Sequence, residues 1–122
     1  MMIECPCGLR AWSGWLALAM LGVACTSLKD DLRRAESAYA DARYEEAEAW
    51  VDALARDAIS FEPTQRAKYY YVAGMTHLRL GDGVRARHEL ALCAAQAELA
   101  PGVVSAPLYE QLLRTLAELP PP

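Results

Sequence analysis

The chain has 122 residues, with 12 lysines and arginines against 16 aspartates and glutamates, and its formal net charge is −4. Both signs are interspersed and no basic stripe occurs, which excludes the electrostatic footprint of a nucleic-acid-binding protein. The length suffices for one small domain, whose single hydrophobic core lies near the lower limit of stability.

The N-terminal segment has the order of a secretory signal, in which a basic residue precedes an apolar run and then small residues. Arg10 precedes the run AWSGWLALAMLGVA, which ends at Ala24 immediately before Cys25. This run is too short for a membrane span, which needs roughly 20 helical residues. The alternative interpretation is a signal segment whose cysteine is incidental.

The same segment resembles the signal peptide and lipobox of bacterial lipoproteins. That resemblance implies that residues 1–24 are removed, and that Cys25 is acylated on sulfur and becomes the N-terminus. Residues 25–27 are then the lipidated cysteine and a short linker. The residue after the cysteine is Thr26 rather than aspartate, which in this family implies an outer-membrane anchor with the domain facing the periplasm. Each buried acyl methylene contributes about 0.8 kcal/mol to such an anchor.

One cysteine, Cys93, remains in the predicted mature chain, because Cys5 and Cys7 leave with the signal and Cys25 is acylated. No disulfide within the mature chain is then expected. A lone cysteine on an apolar helix face is predicted to be a small buried apolar residue.

Five apolar stripes with helical spacing are predicted after the linker, and no segment alternates as a strand does. The predicted fold is therefore all-α, a helical domain over residues 28–119 followed by a proline tail at 120–122. The stripes run from Leu28 to Ala42, Ala47 to Ala58, Tyr70 to Leu78, Ala86 to Ala97 and Leu108 to Leu119.

An internal repeat relates the first four stripes. Ala47 and Ala86 each follow the start of a predicted helix by three residues and lie 39 positions apart. Aligned in this way, Ala35 corresponds to Gly74. Small residues at these four positions predict close packing between neighbouring helices.

The segment from Tyr70 to Ala94 resembles a tetratricopeptide repeat, with a small Gly74, a Leu-Gly-Asp turn and Ala86. The resemblance implies about two antiparallel helical hairpins, with the fifth helix as a C-terminal cap. The usual period of this family is about 34 residues, so extra residues fall between the hairpins, around Ser60 to Thr64. An ordinary antiparallel helical bundle is the alternative.

The resemblance also implies a concave partner-binding face. A mixed tyrosine, methionine and arginine surface suits protein recognition. The alternative is that these residues pack against the fifth helix, because so short a domain can fill its own groove. The predicted partner-binding residues are Leu32, Glu36 and Tyr39 in the first hairpin and Tyr71, Met75 and Arg79 in the second.

The sequence gives little evidence of a catalytic or metal-binding site. His77 and His88 lie on different predicted helices and outside any ligand spacing, and His77 is predicted to be a core or boundary residue. No phosphate loop or nucleophile motif occurs. We therefore expect no cofactor, no metal and no enzymatic activity. The sequence favours a noncatalytic adaptor or assembly factor for a protein partner in the bacterial envelope, with a structural subunit completed by self-association as the alternative.

Overall fold

The computed structural model describes residues 27–122. All regular secondary structure in that range is helical, and the helices are joined by turns and short loops. This confirms the predicted fold class. Helix contacts arrange the elements as two antiparallel hairpins, with the last helix packed on the second. The predicted signal segment and Cys25 lie outside the described residues. The elements are α1 Ser27–Ala40, α2 Tyr44–Leu54, a 3-10 turn Ala58–Ser60, α3 Pro63–Arg79, α4 Gly83–Leu99 and α5 Ala106–Glu118.

Helix ends follow local chemistry, with one departure from the prediction. Pro63 is the first residue of α3, a position where its missing N–H is not needed. The carboxylate of Asp82, just before α4, accepts a hydrogen bond from the Arg85 amide at 3.0 Å. The predicted second stripe is too long, because α2 ends at Leu54. After Leu54 the backbone hydrogen bonds join residues three apart, as in a 3-10 helix. Ala58 is buried as part of the 3-10 turn and not as part of α2.

The two hairpins turn in the same way. Ala42 has φ 59° and Gly81 has φ 83°, so both adopt the left-handed conformation directly after a helix. The amides of the following residues, Arg43 and Asp82, reach back five residues to helix carbonyls at 2.8 and 2.9 Å. This is the Schellman arrangement, which satisfies the last free carbonyls of a helix. The turns lie 39 positions apart, which is the offset of the predicted repeat.

Two apolar clusters fill the interior, one under each hairpin. The first contains Val51 and Leu54, and the second contains Leu90 and Leu112. Residues at corresponding positions of the two hairpins are both buried, each in its own hairpin, so the repeat extends from the turns into the core. The buried pairs are Ala35 with Gly74, Ala47 with Ala86, Val51 with Leu90 and Leu54 with Cys93.

The three consecutive tyrosines of α3 connect these clusters, but not as predicted. Tyr69, rather than Tyr70, is the buried one, with 5% exposure. Its hydroxyl donates to the carbonyl of Val51 at 3.0 Å. Tyr70 and Tyr71 are half-buried and pack against both clusters. The difference arises because α3 lies between helices on two sides and buries every residue from 72 to 77, so a single apolar stripe does not describe it.

Gly74 allows a close approach between α3 and α4. A Cβ placed on Gly74 would lie 2.6 Å from Cγ and 2.7 Å from Cδ2 of Leu90. Carbon atoms in good van der Waals contact are about 3.5–4.0 Å apart. The side chain of Leu90 therefore occupies the space that any residue larger than glycine needs.

The C-terminal segment closes the second hairpin. Leu112 and Leu119 are 1% and 8% exposed, and both belong to the second cluster. The Arg87 guanidinium of α4 donates to the carbonyls of Leu119 at 3.2 Å and Pro120 at 2.7 Å. These bonds fix the start of the proline tail against α4.

The two turns provide a matched pair of substitutions. A left-handed backbone conformation costs a residue with a Cβ about 1–2 kcal/mol. Glycine avoids this strain, but it also gives the unfolded chain more conformational freedom, which offsets part of the gain. We expect Ala42→Gly to stabilise the protein by about 0.5–1 kcal/mol and Gly81→Ala to destabilise it by a similar amount. No atom lies within 4 Å of a Cβ at Gly81, so backbone strain is the main cost there. Urea unfolding of residues 26–122 measures both, and changes of the same sign would contradict the shared turn geometry.

Candidate functional site

The six predicted partner-binding residues divide into a buried and an accessible group. Leu32 and Met75 are 3% and 7% exposed and belong to the core clusters. A partner cannot reach these two without opening the core, so we restrict the candidate surface to the other four. We name it the groove surface: half-buried Glu36, Tyr39 and Tyr71, and exposed Arg79.

Tyr39 is the centre of this surface, because it lies where α1 meets the start of α2 and the end of α3. Its ring is tilted against that of Tyr44, with centroids 5.7 Å apart. The Tyr39 side chain is the main cause that raises the pKa of Arg79, so the two side chains are adjacent. The groove surface thus joins an aromatic pair on the first hairpin to a cation on the second.

Beside these residues lies an apolar cleft of about 240 Å³ between α1, α3 and the C-terminal segment. Tyr71 forms one wall, and burial raises the pKa of its hydroxyl. At the rim, the Lys68 ammonium lies 3.6 Å from the Glu36 carboxylate. Val104 and Leu108 form the opposite wall. The C-terminal segment therefore narrows the groove and leaves a cleft within it.

A polar cluster, which sequence reasoning missed, joins the hairpins at a different place. His77 of α3 is 0% exposed, and its Nδ1 lies 2.5 Å from Oε2 of Glu89 on α4. Its Nε2 faces Glu48 of α2 at 3.7 Å. The Arg85 guanidinium of α4 donates to Asp52 of α2 at 2.7 Å. The usable signal was spacing: α2 carries Glu48 and Asp52, and α4 carries Arg85 and Glu89, each pair four residues apart on one helix face.

Glu89 is the carboxylate that this burial affects most. Desolvation raises its pKa, while the hydrogen bond and charge of His77 act in the opposite direction. The imidazole has a carboxylate partner and no solvent access, which is the arrangement of a core histidine. In the part of the chain that the structure covers, no group of three or more histidine, cysteine or acidic residues could hold a metal ion.

Cys93 lines the apolar cleft, and its thiol is poorly reactive. It is 1% exposed, and its thiol donates to the carbonyl of Ala67 at 3.4 Å. Burial raises its pKa to about 11, so the nucleophilic thiolate is scarce at neutral pH. Its role is packing, in agreement with the sequence interpretation.

Comparison of the chain with family models, with curated proteins and with solved structures gives no significant match. Among residues 27–122, no helix combines the length and the apolar character that crossing a bilayer requires.

The raised pKa of Glu89 predicts a specific dependence of stability on pH. Because the folded state binds this proton more tightly than the unfolded chain does, Glu89 favours folding below its ordinary pKa of 4.5. That contribution is lost as pH rises through the folded-state pKa. We expect the unfolding free energy of the wild type, relative to Glu89→Gln, to fall between pH 4.5 and neutral pH.

Urea unfolding at a series of pH values measures this difference. Glu110→Gln is the matched control, because it removes the same charge from an exposed position on α5. A wild-type-minus-Glu89→Gln difference that is flat, or that rises with pH, would contradict the raised pKa.

Proposed function

We propose that this chain is a noncatalytic outer-membrane lipoprotein whose helical domain, similar to tetratricopeptide repeats, binds a protein partner in the periplasm. It would act as an adaptor or assembly factor of an envelope complex. The observation that carries the proposal is the groove surface, which crosses both hairpins beside an apolar cleft. Rigid aromatic side chains next to an arginine are the composition enriched at energetically important positions of protein interfaces.

The recurring hairpin geometry supports the resemblance to helical repeats. Equivalent turns, equivalent buried pairs and a small residue at the α3–α4 contact are features expected of stacked repeats. The closed environment of His77 supports a noncatalytic role, because the one buried imidazole already has a carboxylate partner in the described part of the chain.

The anchor at Cys25 is part of the same proposal. Helix α1 begins at Ser27, two positions after this cysteine, so the chain between them spans at most about 7 Å. An acylated Cys25 would hold the start of α1 close to the membrane, with Tyr39 of the groove surface about 18 Å further along the helix. A partner in a membrane-associated envelope complex fits this placement.

The second candidate is a structural subunit completed by other copies of the chain. It is favoured by two exposed aliphatic side chains on α4, Val84 and Leu99, which are 79% and 80% exposed. Stacked repeats also gain stability from neighbouring units. Molar mass measured over a range of concentrations separates the two candidates: growth with concentration favours this one, and a constant monomer mass favours the adaptor.

The groove surface should contact the partner directly in cells. We expect a photocrosslinking amino acid at Arg79, or at Lys68 on the rim of the adjoining cleft, to give a discrete protein adduct. The same amino acid at Arg56, which is exposed outside the groove, should give none. With the crosslinker at Lys68, Arg79→Ala should reduce the adduct about tenfold, the effect of losing about 1.4 kcal/mol.

Arg56→Ala is the matched control for that substitution, and circular dichroism melts should be unchanged for both exposed arginines. Adducts of equal yield from all three crosslinker positions would show that the groove surface is not the partner site.

The anchor has a separate test. Labelling cells with a radioactive fatty acid should mark the wild-type protein and not Cys25→Ser, because the sulfur is the acylated atom. Cys93→Ser should remain labelled, since that thiol is buried in the core. Label retained on Cys25→Ser would show that the lipoprotein interpretation is wrong.

A further inference from the structure

The size of the apolar cleft limits what can enter it. Pockets for drug-sized molecules have volumes of about 300–1,000 Å³. The cleft has about 240 Å³ and is lined mainly by apolar side chains, among them Val72, Val103 and Val104. It therefore suits one aliphatic or aromatic side chain of a larger partner better than it suits a whole small molecule.

A charged depression of about 490 Å³ adjoins the cleft. The two share Glu36 and Lys68, so the ion pair of these residues stands between them. The depression is lined by the cations Lys29, Arg33 and Lys68 and by two carboxylates. Its lining therefore carries an excess of positive charge, although the chain as a whole is acidic.

Lys29 is the cation most available to a partner. Arg33 pairs with Asp30, and Lys68 lies near Glu36, whereas Lys29 makes no ion pair with any residue in the described range. Its side chain is exposed. An acidic group bound at this end of the depression would pair with Lys29 without breaking an existing ion pair.

The separation of Lys29 from Glu36, at the rim of the cleft, limits the spacing in the partner. Glu36 and Lys29 are seven residues apart on α1, which at 1.5 Å per residue is about 10 Å. An extended chain advances about 3.3 Å per residue, and its side chains alternate between faces. Side chains two or four residues apart therefore point the same way and span about 7 or 13 Å, which brackets the separation.

We propose that the partner of the groove surface is an extended polypeptide segment with two recognition elements. An aliphatic or aromatic side chain enters the apolar cleft, and an acidic side chain two or four residues away pairs with Lys29. This inference rests on the proposed function, since it specifies the chemistry of the partner that the groove surface binds.

A displayed library of short random peptides, selected against the full chain, tests the proposal. The enriched peptides should share a large apolar residue with aspartate or glutamate two or four positions away. Selection against Lys29→Glu should retain the apolar residue and replace the acidic one with lysine or arginine. Because Lys29 is exposed, we expect that variant to keep its fold.

Affinities of one enriched peptide for variants of the full chain give the quantitative test. Val104→Phe, which fills the cleft, and Lys29→Glu should each weaken binding at least about tenfold. The matched controls, Val84→Phe at an exposed position on α4 and Arg56→Glu outside the groove, should stay within about twofold. Circular dichroism of Val104→Phe verifies that the change leaves the helical fold intact.

Three results would overturn this inference. Enriched peptides without the paired pattern, or peptides that bind Lys29→Glu and Val104→Phe as well as the wild type, would show that the cleft and depression do not select the partner. Binding to phosphatidylcholine vesicles containing phosphatidylglycerol that is lost in Lys29→Glu, without peptide binding, would identify a lipid site instead. If crosslinking in cells at Arg79 persists in these cases, the proposed function stands and only the partner chemistry is wrong.

Discussion

The contact of Gly74 with Leu90 lets α3 and α4 approach so closely that a Cβ at position 74 would lie 2.6 Å from Leu90 Cγ, and other features of the second hairpin depend on that approach. His77 lies one helical turn after Gly74, and Glu89 precedes Leu90, so the same approach brings Nδ1 and Oε2 to 2.5 Å. The helix α4, held in this position, carries the Arg87 guanidinium that fixes the C-terminal tail. The end of α5 is thus held on the same helix whose approach Gly74 permits.

The polar cluster at the hairpin seam has a different energetic character from the apolar clusters. A buried imidazole and a half-buried carboxylate are each costly, and their pairing offsets that cost without making a large net contribution. In the described part of the chain, Thr76 Oγ1 and His77 Nε2 make no hydrogen bond, which adds to the cost. We interpret the cluster as a determinant of alignment between the hairpins, because Glu48 and Asp52 meet His77 and Arg85 in one register.

The sequence predicted the fold well where the signal was local or repeated. Helical periodicity and the Leu-Gly-Asp turn gave the elements and the hairpins, and the alanine and glycine alignment gave the buried small residues. It failed where a helix has neighbours on two sides: Tyr69, Leu32 and Met75 are buried because α1 and α3 each contact more than one helix. A single-face periodicity argument cannot contain that information.

The candidate site was predicted in part for a related reason. The spacing of Tyr71 and Arg79 placed them on one helix face, but whether a face is covered depends on the path of the C-terminal segment. Val104 and Leu108 line the cleft because residues 100–105 turn back across the groove. No local sequence pattern predicts that path. The charged cluster of α2, α3 and α4 is likewise a product of tertiary contacts between residues far apart in sequence.

A double-mutant cycle between Gly74→Ala and Leu90→Ala tests the central contact most directly. Gly74→Ala should destabilise the protein by about 1–3 kcal/mol when Leu90 is present, because its Cβ would overlap that side chain. In the Leu90→Ala background it should be neutral or stabilising, as expected for alanine replacing glycine in a helix. Gly83→Ala is the control, since its nearest side-chain atoms lie 3.9 Å away and belong to Leu119 and Pro120. The same cost for Gly74→Ala in both backgrounds would contradict the account.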